Sequence, residues 1–243
     1  MIVAIDAGNT RTKWGVFDAA GIMVSHGAVD NGQLEGLAEA ATRWKGCRRM
    51  VLSNVAGAAV AARITVLSDN LQMPLLTVTA TAAACGVTNG YAQAEQLGSD
   101  RWAALVAAWN HYHAPCVVAT AGTALTVDAL SSKGAFLGGL IVPGWRMMQD
   151  ALTSATAGLS LHDGQLQTFP LNTGDAMASG GWLAMAGVVE RMCQALHEHE
   201  GVAPRCILSG GDAHPLLAAL SSPARIADNL VLHGLWLIER ERA

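Results

Sequence analysis

Residues 1–5 form an unbroken apolar run that stops at Asp6, and Ala7-Gly8-Asn9-Thr10 follows as a cluster of turn formers. Residues 13–17 are a second short run rich in strand formers, closed by Asp18-Ala19-Ala20-Gly21, and residues 22–27 continue as a third. The pattern predicts three strands joined by tight turns. Between residues 33 and 44, Leu34, Leu37, Ala38 and Ala41 recur with helical spacing. Residues 49–53 then read as a strand, 56–71 as a helix and 75–78 as a strand. A further helix opens at Ser99, with Ser99 expected at its N-cap and Asp100 in its first turn. Its apolar face carries Trp102, Leu105, Val106 and Trp109, and it ends between Asn110 and Pro115.

After Pro115 the pattern restarts. Residues 116–119 are apolar, Thr120-Ala121-Gly122-Thr123 is a turn cluster, and residues 124–130 and 135–143 read as strands around the turn at residues 131–134. Laid over the first half, IDAGNT matches ATAGTA. Gly8 falls on Gly122, Asp6 on Thr120, Asp18 on Asp128 and Gly21 on Gly134. This is an internal duplication of a three-stranded meander followed by helices. Helices are expected at residues 145–153, 174–199 and 230–240, with a strand at 206–209. The His-Tyr-His-Ala-Pro stretch marks a boundary between lobes spanning residues 1–112 and 113–243.

Composition narrows the class. The 243 residues carry 15 Lys+Arg against 19 Asp+Glu, a net charge of −4, with 51% hydrophobic residues. That balance does not suit a protein living on phosphate-backbone contacts, and the apolar content excludes disorder. No two glycines are spaced i, i+2, so the dinucleotide fingerprint is absent. None of the three lysines precedes Ser or Thr, which removes the P-loop as well. Five scattered cysteines read as reduced thiols of a cytoplasmic protein. The opening MIVAIDAGNT has no basic start, so no signal peptide is expected, and no stretch reads as a membrane span.

Four segments carry candidate chemistry. In Asp6 to Lys13, Gly8 is expected to turn the backbone with positive φ, successive N–H groups can cradle an anion, and Asp6 at the strand end can hold Mg²⁺. The alternative is an ordinary hairpin turn capped by Asp6. The recurrence of the turn at Thr120–Thr123 favours two phosphate-gripping turns, one per half. In Gly98-Ser99-Asp100-Arg101, a carboxylate in the first turn of a helix can take a proton from a hydroxyl, and Arg101 can fork onto a carboxylate. The alternative is a helix cap with a surface arginine. Leu208-Ser-Gly-Gly-Asp212 suits the close approach of a flat ligand or is a plain strand-to-helix turn. The histidine pairs 111/113 and 197/199 make no metal case, since i, i+2 positions do not share a helix face.

Taken in order, these motifs resemble the type III pantothenate kinases of the actin-like/acetate and sugar kinase superfamily. DAGNTRTKWGVFD is similar to the family's first phosphate motif, Tyr91 with LGSDRWAAL to its substrate and base motif, and AGTALTVD to its second phosphate motif. GGLIVPGWRMM and the stretch from Asn172 and Thr173 to Ala176 match the family pattern too. The resemblance implies a duplicated actin-like ATPase (ribonuclease H-like) α/β fold, two lobes each with a mixed sheet flanked by helices. It implies ATP-dependent phosphorylation of pantothenate by a homodimer in the cytoplasm. Asp100 would be the general base, and Tyr91, Gly98, Ser99, Arg101 and Thr173 would bind pantothenate, Thr173 across the dimer interface. Asp6, Ala7, Gly8, Asn9, Thr10, Arg11, Thr12, Lys13 and Thr123 would bind ATP, with Asp6 near Mg²⁺.

One departure stands out. Thr120 occupies the place where many members have an Asp that helps bind a monovalent cation, K⁺ or NH₄⁺. A neutral hydroxyl lacks that charge attraction, so the cation site is expected to be weakened or absent. Two other functions stay open on sequence: a non-catalytic regulator like the Bvg accessory factors, and a kinase for another small alcohol.

Overall fold

The computed structural model describes residues 1–156 and 164–242. The chain divides into two compact units, one of Met1–His111 with Asn229–Ala243, the other of Tyr112–Asp228.

In the first unit, β1 (Ile2–Ala7), β2 (Arg11–Phe17) and β3 (Met23–Asp30) form the expected meander. β4 (Met50–Asn54) and β5 (Leu75–Thr77) extend the sheet on the other side of β1, giving the order β3-β2-β1-β4-β5. The meander pairs are antiparallel, while β1–β4 and β4–β5 are parallel. A parallel pair needs a crossover, which α2 (Ala58–Asn70) supplies between β4 and β5. The helix expected over residues 33–44 is broken: α1 covers only Gly36–Ala40, with single tight turns at Asn31–Gln33 and Ala41–Arg43. The segment is set instead by burying Leu34, Leu37 and Trp44 against Trp14. A small hairpin, β6 (Ala83–Ala84) and β7 (Val87–Asn89), was not legible in the hydrophobic pattern. α3 (Ser99–Tyr112) is buried almost all round.

The second unit repeats the plan. β8 (Cys116–Ala121), β9 (Ala124–Leu130) and β10 (Ala135–Pro143) form the meander, followed by α4 (Trp145–Ala155) and α5 (Thr173–Glu200). β11 (Arg205–Ser209), α6 (Ala213–Ala219) and β12 (Arg225–Ile226) complete it. The strands lie in the order β12-β11-β8-β9-β10, with the same parallel and antiparallel pairs as the first unit. β1 and β8 even share one burial pattern, with Asp6 and Thr120 each the fifth residue of the strand.

Two sequence readings need correction. The duplication aligns Gly21 with Gly134, both at positive φ, but Asp18 does not match Asp128. Asp128 lies buried inside β9, whereas Asp18 follows β2. The counterpart of Asp18 is Ser131. Asp18 accepts from the N–H groups of Ala20 and Ile22, and Ser131 Oγ accepts from those of Lys133 and Ala135. A short oxygen-bearing side chain is what the turn demands, and Ser or Asp meets that demand. The second lobe was also expected to run to the end of the chain. Instead α7 (Leu230–Arg242) returns to the first unit and packs on β1. Gly234 permits this, because a Cβ there would lie 1.8 Å from the carbonyl of Ala103 on α3. Glu239, 2% exposed, anchors α7 through Arg48 at 3.1 Å and Arg49 at 3.4 Å.

Candidate active site

Three strands put a row of polar side chains on one sheet. Asp6 on β1 lies opposite Lys13 on β2 and Ser53 on β4. Strand partners project to the same face, so the three side chains line up. Ser53 is fully buried, and its hydroxyl meets that of Ser99 at 2.8 Å. This hydrogen bond ties the end of β4 to the start of α3.

The start of α3 differs in detail from expectation. The N–H of Trp102 donates to the carbonyl of Gly98, so Gly98 takes the N-cap position and Ser99 is the first helical residue. The Ser99 hydroxyl is engaged with Ser53 rather than capping. A Cβ on Gly98 would fall 2.6 Å from Asp100 Oδ1, so a side chain there would displace the carboxylate. Arg101 is buried, 6% exposed, and its guanidinium donates to the Tyr91 hydroxyl at 3.4 Å. Tyr91, Gly98, Ser99, Asp100 and Arg101 are thus one cluster.

Asp6 is the most perturbed acid of that face. Its Oδ1 is enclosed and finds no hydrogen-bond partner among the described residues. Burial, and next the charge of Asp100, push its pKa from 3.8 to about 7, with Lys13 pulling the other way. A buried carboxylate with an orphaned oxygen, raised further by a neighbouring carboxylate, suits a positively charged partner. The donor set suits Mg²⁺, which binds through one or two carboxylates and otherwise keeps water and phosphate oxygens. No cluster of three or more His, Cys, Asp or Glu able to hold a metal occurs among the described residues.

The turn after β1 differs from the reading of Gly8. Gly8 does not have positive φ; a Cβ there would sit 3.3 Å from the Arg11 carbonyl, which accepts from the Gly8 N–H. Small size, not handedness, is what the position uses. Ala7 and Thr12 are buried, Lys13 half-buried, and Asn9, Thr10 and Arg11 exposed, Arg11 pairing with Asp30.

Thr123 and Thr173 belong to the second unit. Thr123 is exposed on the β8–β9 turn, and its carbonyl accepts from the Gly144 N–H. A Cβ on Gly144 would reach within 2.0 Å of the Gly122 carbonyl, so Pro143-Gly144 packs directly on this turn. Thr173 is exposed as the first residue of α5, beside the cap formed by Asn172 on the Asp175 N–H. The paired glycines after β11 divide their roles. Gly210 has φ 98° and presses on the Ala121 carbonyl, while Gly211 faces open space. Asn31 and Ser53, both engaged with this machinery, escaped the sequence reading; a lone Asn or Ser carries no motif.

The family model for type III pantothenate kinase matches residues 2–195. The chain belongs to the type III pantothenate kinase family. Among curated relatives, the type III pantothenate kinase of Methylobacillus flagellatus is 43% identical over 249 residues, covering 98% of each chain. The fold is that of the actin-like ATPases and sugar kinases. A solved structure titled a conserved putative Baf family transcriptional activator, from Campylobacter jejuni, superposes with a TM-score of 0.65 at 19% identity, over 99% of this chain and 98% of that one. A ROK family glucokinase from Streptomyces griseus, in complex with glucose and AMPPNP, superposes with a TM-score of 0.54 at 12% identity, over 99% of each chain. No helix among the described residues of this type III pantothenate kinase family member is long and apolar enough to cross a membrane.

Proposed function

We propose that this chain transfers the γ-phosphoryl group of ATP to the primary hydroxyl of pantothenate, forming 4'-phosphopantothenate in the cytoplasm, the first step of coenzyme A synthesis. The observation that carries the reading is the Asp6–Asp100 pair, with the enclosed, partnerless Oδ1 of Asp6. An enclosed carboxylate with an unmet oxygen beside a second carboxylate is arranged for a cationic partner.

Asp100 accepts the proton of the attacking hydroxyl. Phosphoryl transfer has a loose transition state, so positioning matters more than basicity and a carboxylate suffices. Arg101 forks onto the pantothenate carboxylate with Tyr91 beside it, and Gly98 and Ser99 shape the same wall. The turn from Asp6 to Lys13 holds phosphates of ATP, and Asp6 would hold Mg²⁺. When bound, Mg²⁺ would neutralise charge on the phosphates. Lys13, opposite Asp6, adds a fixed positive charge toward the phosphates.

Thr173 serves pantothenate from a second copy of the chain. A homodimer accounts for the apolar surface of the second unit. Leu140, Ile141, Met147 and Leu152 are 41–64% exposed there, beside a cavity of about 480 Å³ between α4 and α5. Thr120 offers a hydroxyl where a carboxylate would attract a monovalent cation. Turnover therefore lacks strong K⁺ stimulation over a Na⁺ or Tris background; marked stimulation refutes this part.

The reading is tested with radiolabelled ATP and pantothenate. Labelled phosphopantothenate forms with the wild-type protein and not with Asp100→Asn, which still binds MgATP by calorimetry. Transfer to a different alcohol, or none at all, overturns it.

A further inference from the structure

Asn31, the first residue after β3, grips the β1–β2 turn through both its side-chain amide and its main chain. Its Nδ2 donates to the carbonyl of Gly8 at 2.7 Å and to that of Asn9 at 3.0 Å. Its backbone N–H donates to the carbonyl of Thr10 at 3.0 Å. Its Oδ1 accepts from the hydroxyl of Thr12 at 2.8 Å, and the two carbonyls, which can only accept, fix which way the amide faces. Three consecutive carbonyls are therefore drawn to one residue. The peptide bonds of the described chain are all trans, and in a planar trans peptide the N–H points opposite the C=O. Pulling the Gly8 and Asn9 carbonyls toward Asn31 turns the N–H groups of Asn9 and Thr10 to the opposite side. Successive N–H groups on one side of a turn make an anion-binding concavity.

We infer that Asn31 is a positioning residue that sets the polarity of the phosphate-binding turn, presenting main-chain N–H groups to the nucleotide phosphates. This rests on the reading of residues 6–13 as the ATP phosphate site. Asn31 acts through the turn and touches no reacting atom. Nothing in its sequence context marks it, because its partners lie some twenty residues upstream and are mostly main-chain atoms. Thr12 is part of the same device: its buried hydroxyl donates to Oδ1 and holds the side chain in place while Nδ2 meets the two carbonyls.

Asn31→Asp is nearly isosteric, keeps the acceptor for Thr12 and removes both side-chain donors. Steady-state kinetics should show the KM for ATP raised at least tenfold and the KM for pantothenate changed less than twofold, with the ligand-free melting temperature within a few degrees of wild type. Thr12→Val should shift the ATP KM the same way by a smaller factor. An ATP KM within twofold of wild type, or equal shifts in both KM values, overturns the inference. Should Asn31→Asp not fold, Asn31→Ser, which keeps one short donor, is read by the same criteria. Failure of the underlying reading is separate: the wild-type protein would then show no MgATP uptake by calorimetry. If wild type takes up MgATP and Asn31→Asp does so equally well, only the role of Asn31 fails.

Discussion

Replacing Asp6 with Asn removes a carboxylate that the ligand-free fold holds at a cost. Its pKa rises from 3.8 to about 7 on folding, chiefly through burial. A tenfold change in proton affinity is worth about 1.4 kcal/mol, which sets a ceiling of about 4 kcal/mol. The residue keeps some exposure, and solvent screening brings the expected value to about 1–3 kcal/mol. The sign follows from proton binding. Between pH 4 and 7 the folded chain binds more protons at Asp6 than the unfolded chain, so wild-type stability falls as pH rises through that window. Above pH 7 the penalty is fully present, and Asn carries none of it. Ligand-free Asp6→Asn should therefore be more stable than wild type by about 1–3 kcal/mol at pH 8, and the two should converge near pH 4. Urea denaturation followed by tryptophan fluorescence at several pH values measures this, since Trp14, Trp44 and Trp102 are buried in the same unit. Added MgATP should stabilise wild type and leave the variant unmoved, because only wild type binds it. A variant less stable than wild type at pH 8, or a gap independent of pH, would refute the assignment of Asp6 as an electrostatically strained cation receptor.

The remaining expectations concern the start of α3. Gly98→Ala puts a methyl group where Asp100 Oδ1 now stands at 2.6 Å, so the carboxylate must swing away; kcat should drop at least tenfold while calorimetric MgATP affinity is kept. Ser53→Ala leaves the Ser99 hydroxyl buried without its partner and should lower stability by about 1–3 kcal/mol, read as a shift in urea midpoint. It should also lower kcat/KM for pantothenate, because the segment bearing Asp100 and Arg101 loses its tie to β4.

Much of the meander was visible along the chain. The stop of an apolar run at Asp6, the turn formers after it and their return near Gly122 follow from strand alternation and turn chemistry, which are local. The cluster of Asp100 and Arg101 was visible for the same reason, since a carboxylate in a first helical turn next to an arginine is a short-range pattern. Asp18 and Asp128 are the same residue type in different places; a turn-capping oxygen, supplied by Ser131, is what recurs. The helix expected over residues 33–44 is cut to Gly36–Ala40 because burial of Leu34, Leu37 and Trp44 sets the path of the chain.

The chain's letters carry the chemical groups and the local geometry of each: two Gly-bearing turns, an acid ending an apolar strand, an acid beside an arginine opening a helix. Which groups act on one another is a product of long-range packing. The pairing of β1 with β4 brings Ser53 beside Asp6, the path after β3 brings Asn31 onto the turn, and the return of α7 encloses Glu239 against Arg48 and Arg49. Each of these contacts joins residues 19 to 191 positions apart. The charge of a lone Asp6 follows from its own chemistry, but its raised pKa depends on the solvent removed and on the Asp100 carboxylate brought near, and both arise only when the chain folds.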